Sequence, residues 1–124
     1  MRITGTISHG KHLGHRLGFP TANIAADHPL AEGERGGVYA AVISIERIEG
    51  PLACMVNIGR HPTAPEGPPT IEAHILDFDE DVYGRRAVLE TKAFIRPERK
   101  FETLDKLVEQ LERDREAVRN MGLV

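Results

Sequence analysis

Thr21 and Asn23 are two neutral oxygen donors separated by one residue in the segment Gly18-Phe19-Pro20-Thr21-Ala22-Asn23. Pro20 fixes its own φ and pushes Phe19 into an extended conformation, so the chain here is stiff and straight. Residues two apart in an extended chain project from the same side. A hydroxyl and an amide carbonyl so placed can both face a hard cation. Mg²⁺ takes oxygen ligands and is commonly held by few protein groups, with phosphates and water completing its shell. Neutral ligands suit a cation whose charge the phosphates already balance. Gly18 permits a close backbone approach. On pattern alone an ordinary strand entry with a Pro-Thr turn is the stronger reading.

The second candidate is a carboxylate. From Thr70 to Phe78 the sequence alternates, with Ile71, Ala73 and Ile75 on one face and Glu72 and His74 on the other. A carboxylate so placed usually marks the solvent side of a half-buried strand. It becomes a candidate general base where that face lines a pocket.

Three further patterns in the opening segment are weaker. Gly5-Thr6-Ile7-Ser8-His9-Gly10-Lys11 matches most of a phosphate-binding P-loop, but His12 stands where Ser or Thr is needed and Leu13-Gly14 follows instead of a helix. His12-Leu13-Gly14-His15 has the spelling of a nucleotidyl-transfer motif without its α/β context. His9, His12 and His15 recur every third residue, yet Gly10 and Gly14 oppose the helix that would present them together.

Composition narrows the classes. The chain has 124 residues, 40% hydrophobic and 28% charged, and reads as a single globular domain over 1–124. One cysteine, Cys54, excludes a disulfide framework; it lies in the apolar run Leu52 to Val56 and reads as core. No apolar stretch reaches membrane-spanning length, and the first residues lack the apolar region of a signal peptide. The expected location is the cytoplasm, with no membrane partner. A net charge of -3 argues against nucleic-acid binding. Of 19 acidic residues none precedes Asp27, and an acid-free opening suits an anionic ligand.

These residues need a frame. Arg2 to Ser8, Val38 to Ile45, Leu52 to Ile58, Thr70 to Phe78 and Ala87 to Ile95 read as strands, linked by segments rich in Gly and Pro. Leu104, Leu107, Val108 and Leu111 share one helical face, with Thr103 as a cap and Gly122 beyond the end. Acidic and basic residues balance along that helix, which marks a solvated surface. Short strands followed by one helix, without β-α alternation, favour a closed antiparallel barrel over a doubly wound sheet.

The segments, in their order, resemble riboflavin kinases, and in particular the C-terminal kinase domain of bacterial bifunctional riboflavin kinase/FAD synthetases. His9-Gly10 with Leu17 to Asn23 is similar to the family's phosphate flap and metal motif. Gly37-Val38-Tyr39-Ala40 is similar to the next strand, and Asn57-Ile58-Gly59 with Pro62-Thr63 to the turn ahead of the catalytic strand. Ile71 to Phe78, then Asp81, Tyr83 and Gly84, resemble that strand and its exit. Ile95-Arg96, Glu98 and Lys100-Phe101 resemble the flap over the flavin, and the closing helix with Asp114 fits.

The resemblance implies a mostly β fold, a six-stranded antiparallel Greek-key barrel with a C-terminal α-helix packed on it. It implies ATP-dependent phosphorylation of the riboflavin 5′-hydroxyl, giving FMN and ADP, with Glu72 as general base. Thr21 and Asn23 would bind Mg²⁺ and, with Gly10, Gly14, Arg16 and Gly18, the nucleotide. Arg96 and Glu98 would bind the flavin. A monomer is expected. A non-catalytic flavin or FMN-binding module is the alternative that the residues leave open. The sequence departs from the family at His61, where Arg is frequent, and in the proline-rich stretch Ala64 to Pro69. The chain has no room for an adenylyltransferase domain, so FAD synthesis is not expected of it.

Overall fold

The apolar residues of the strands must leave water, and a sheet can bury one face of every strand by closing on itself. The computed structural model describes residues 1–8, 18–30, 35–59 and 69–124. They form β1 (Arg2–Ser8), β2 (Ala22–Ala26), β3 (Gly37–Ile45), β4 (Leu52–Gly59), β5 (Thr70–Ile75), β6 (Arg86–Arg96) and one helix, α1 (Leu104–Asn120). Around the closed barrel the order is β1-β2-β5-β4-β3-β6, and every pairing is antiparallel. Strands β3, β4 and β5 follow one another, and β6 returns beside β3, which is a Greek key. The barrel expected from the resemblance is therefore present.

Ile3, Ile7, Ile43, Val56, Ile58 and Leu89 are among the residues that fill the interior. Cys54 lies in the same core, fully buried, and burial pushes its thiol up to about 12. A second apolar layer lies outside the barrel. Val38, Ala40, Met55 and Leu76 pack there with Val118 of α1 and with Phe19, which stands just ahead of β2. At one corner, Arg86 of β6 donates to Thr6 of β1 at 3.1 Å and to Asp27, just past the end of β2, at 2.7 Å.

The segmentation differs from the sequence reading in three places. Strand β2 carries no periodic signal, because Ala22-Asn23-Ile24-Ala25-Ala26 is short and built mostly from small residues. Strand β5 stops at Ile75, short of Phe78, because Asp77 takes a left-handed φ of 53° and turns the chain. The helix begins after the Thr103 cap, whose hydroxyl accepts from Lys106 N at 3.2 Å, and Gly122 follows it with φ +60°. Its buried stripe, however, runs through Val108, Leu111, Asp114 and Val118, leaving Leu104 58% exposed. Among the described residues no helix is long and apolar enough to cross a membrane.

Candidate active site

Sheet register brings the two candidate segments together. In the β2-β5 pair, Asn23 stands directly opposite Glu72, and Ala22 opposite Ala73. In the β5-β4 pair, Asn57 stands opposite Glu72 from the other side. Directly opposed residues on neighbouring strands have Cβ atoms about 4.5–5.5 Å apart, so the two asparagines flank Glu72. Ala73, Val56 and Ile58 point into the barrel, so Asn23, Glu72 and Asn57 form a row on its outer surface.

Hydrogen bonding sets this row apart. The Asn23 side-chain oxygen is buried and has no hydrogen-bond partner among the described residues. An orphaned buried acceptor costs about 1–3 kcal/mol, so such atoms call for an explanation. Among the described residues no hydrogen bond or ion pair engages the Glu72 carboxylate either. Thr21 is exposed and directly precedes β2; between it and Asn23, Ala22 packs against the interior core. Thr21 and Asn23 therefore flank an inward residue, as the extended reading required. No group of three or more His, Cys, Asp or Glu among the described residues is placed to hold a metal. An unpartnered amide oxygen beside a hydroxyl fits a cation that arrives with its own phosphates.

Beside Thr21 lies an open cleft of about 600 Å³, lined by Ser8, Pro20, Thr21, Phe78, Asp81 and Tyr83 among others. The segment entering β2 is held by contacts that the sequence did not show. His74 Nδ1 lies 2.8 Å from the Pro20 carbonyl oxygen. The His74 and Phe19 rings are 5.3 Å apart, and the Arg115 guanidinium of α1 sits 4.5 Å from the Phe19 ring centre. His74 is 7% exposed, so the outer face of β5 is not the solvent side that alternation alone suggests. Burial lowers its pKa, against the opposing effect of the Pro20 hydrogen bond.

The remaining candidates are spread out. Gly18 is exposed and turns the chain into this segment with φ +84°. Gly10, Gly14 and Arg16 lie outside the described residues. Arg96 belongs to the same cross-strand row as Glu72, through Asn57 and Val38. Three strand spacings separate them, roughly 14 Å along the sheet. Its guanidinium is committed to α1: Nε lies 2.9 Å and Nη2 2.8 Å from an Asp114 oxygen, and Gln110 donates to Asp114 at 2.9 Å. Glu98 is exposed and lies near Gly59 at the end of β4. A Cβ on Gly59 would come within 2.5 Å of Thr70 Oγ1 and 3.9 Å of Glu98 Oε1, so a side chain there would collide with the neighbouring strand.

Sequence reasoning left two residues without a role, Asn57 and His74. The signal for His74 was its spacing of two from Glu72. Asn57 entered only as part of the family resemblance, and register places it opposite Glu72.

The fold is a Greek-key barrel with one covering helix, and Glu72 stands between two asparagines on its outer surface. The family model described as riboflavin kinase matches residues 1–122, and the chain belongs to that family. It is 38% identical over 112 residues to an Escherichia coli (strain K12) protein named bifunctional riboflavin kinase/FMN adenylyltransferase, covering 90% of this chain and 35% of that one. The chain thus spans about a third of the length of that relative. A solved structure described as a macrolide-efflux protein from Streptococcus pneumoniae superposes with TM-score 0.85 at 32% identity, over 96% of this chain and 38% of that one. Riboflavin kinase from Trypanosoma brucei shares the fold, with TM-score 0.70 at 24% identity, over 97% of this chain and 75% of that one.

Proposed function

We propose that this chain transfers the terminal phosphoryl group of ATP to the 5′-hydroxyl of riboflavin, giving FMN and ADP. The observation that carries the reading is the pairing of Asn23 with Glu72, a buried acceptor beside a carboxylate, neither with a hydrogen-bond partner among the described residues. Glu72 accepts the hydroxyl proton as the new O–P bond forms and the bond to the ADP oxygen breaks. Thr21 Oγ1 and Asn23 Oδ1 hold Mg²⁺, which when bound neutralises charge on the transferred group. The nucleotide occupies the cleft beside Thr21. Its adenosine end turns toward Asp79 and Asp81, where phosphates would be repelled. Gly18, with Gly10, Gly14 and Arg16, covers the phosphates. The flavin runs from Glu72 toward Arg96 and Glu98, an extended path that suits an elongated substrate. Fixing both substrates on one rigid sheet supplies much of the acceleration through orientation.

The protein is mixed with riboflavin, ATP and Mg²⁺, and ADP and FMN are followed. Equal formation of both is expected. Pyrophosphate release, or FMN binding without ADP formation, overturns the reading.

A further inference from the structure

His74 is one of two buried polar or charged side chains among the described residues, the other being Asp114. Asp114 is consumed by Arg96 and Gln110. His74 instead reaches across to a backbone carbonyl at the entrance to β2.

The entrance needs such a contact. The β2-β5 ladder runs from Asn23 opposite Glu72 to Ala22 opposite Ala73 and then ends. Pro20 has no N–H, so the chain before Thr21 cannot continue a normal ladder. Beyond Ala22 the hydrogen bond joining this segment to β5 comes from a side chain, His74 Nδ1 to Pro20 O at 2.8 Å. A carbonyl oxygen only accepts, so the shared proton belongs to Nδ1. The neutral ring that burial favours supplies it in one tautomer. Phe19 is fixed in turn between the His74 ring and Arg115 of α1. Thr21 is the next residue along, and Asn23 follows two later.

We propose that His74 is a positioning residue: by holding the Pro20 carbonyl against β5, it sets the direction in which Thr21 and Asn23 present their oxygens to a Mg²⁺-nucleotide. This rests on the metal and nucleotide roles proposed above. It adds a residue that need not touch either substrate, on the same strand as Glu72.

The test compares two variants of nearly equal size. His74→Asn keeps an N–H donor where Nδ1 stood, and His74→Leu removes it. Binding of Mg²⁺-ADP is titrated without flavin, and KM for Mg²⁺-ATP is measured apart from KM for riboflavin. One net hydrogen bond corresponds to a change of about fivefold, so His74→Leu is expected to weaken Mg²⁺-ADP binding and raise KM for Mg²⁺-ATP by about that factor. The riboflavin KM stays unchanged, and His74→Asn recovers most of the loss. Equal affinities in the two variants, or a fall in melting temperature with unchanged nucleotide affinity, overturns the proposal while the function stands. Wild-type protein that binds no Mg²⁺-ADP overturns the underlying reading, and this proposal with it. A measurement on the wild type alone guards against variants that fail to fold. The imidazole nitrogen shifts of His74 are expected to show a proton on Nδ1, and a ring protonated only on Nε2 overturns the hydrogen bond.

Discussion

Two polar clusters lie on the outside of the same barrel and are built in opposite ways. Where β6 meets α1, Arg96, Asp114 and Gln110 satisfy one another, with Asp114 2% and the Arg96 side chain 13% exposed. On the β2-β5-β4 surface, Glu72 and the Asn23 oxygen have no partner among the described residues. A closed network fixes one arrangement of the fold. An open one leaves binding capacity unused in the protein, available to a ligand. The difference marks the β2-β5-β4 surface as the place proposed for the metal and the reacting hydroxyl, and the Arg96-Asp114 pair as the joint that fixes α1 on the barrel.

The contrast can be broken by substitution. The largest effect is expected at Glu72. Glu72→Gln keeps size and shape, and turnover measured as ADP release falls by about 10²–10⁴-fold with an unchanged melting temperature. An active variant would remove Glu72 from the site. At the joint the outcome reverses. Asp114→Ala strands a mostly buried guanidinium and is expected to destabilise the fold by about 3 kcal/mol in denaturant titrations. If Asp114→Ala were neutral, the joint would be an ornament of the surface. Asn23→Leu sharpens the comparison, since it removes an orphaned acceptor. Unliganded protein is expected to gain about 1 kcal/mol in stability, while Mg²⁺-nucleotide affinity is lost. A destabilised variant would mean that Asn23 already had a partner.

The smallest effect is expected at the Asp27 corner. Its hydrogen bond with Arg86 holds the Asp27 carboxyl below its ordinary value of 3.8. The folded pKa is depressed, so its stabilising effect is fully present above 3.8 and is lost as pH falls through the folded value. In acid melts, wild type should therefore lose a small increment that Asp27→Asn never had. Parallel curves would show that the exposed pair is inert.

Legibility in the sequence followed the range of the interaction. Apolar and β-branched runs located β1, β3, β4 and β6 closely, and the helical stripe with its Thr103 cap located α1. Local signals failed where distant parts decide the outcome. Leu104 belongs to the apolar stripe but projects into solvent, because the stripe's buried part lies further along, at Val118. His74 alternates onto a face that looked open to water, and nothing within β5 announces that Phe19 covers it. The site divides in the same way. Type and spacing alone left Thr21, Asn23 and Glu72 as ordinary strand residues, and the family resemblance made them candidates. That Asn23 faces Glu72 directly is a matter of register between strands far apart in the chain, which alternation cannot express.

Barrel closure has a consequence in time. Arg2 lies opposite Glu90, and Thr91 donates its N–H to the carbonyl of Met1 at 2.9 Å, so the first strand finds its last partner near the far end of the chain. Contacts between such distant residues form late and slowly. During synthesis β1 must wait until β2, β3, β4 and β5 have all been made before β6 emerges to pair with it. Until then its edge stays open and the ring that carries the site is a curved ribbon.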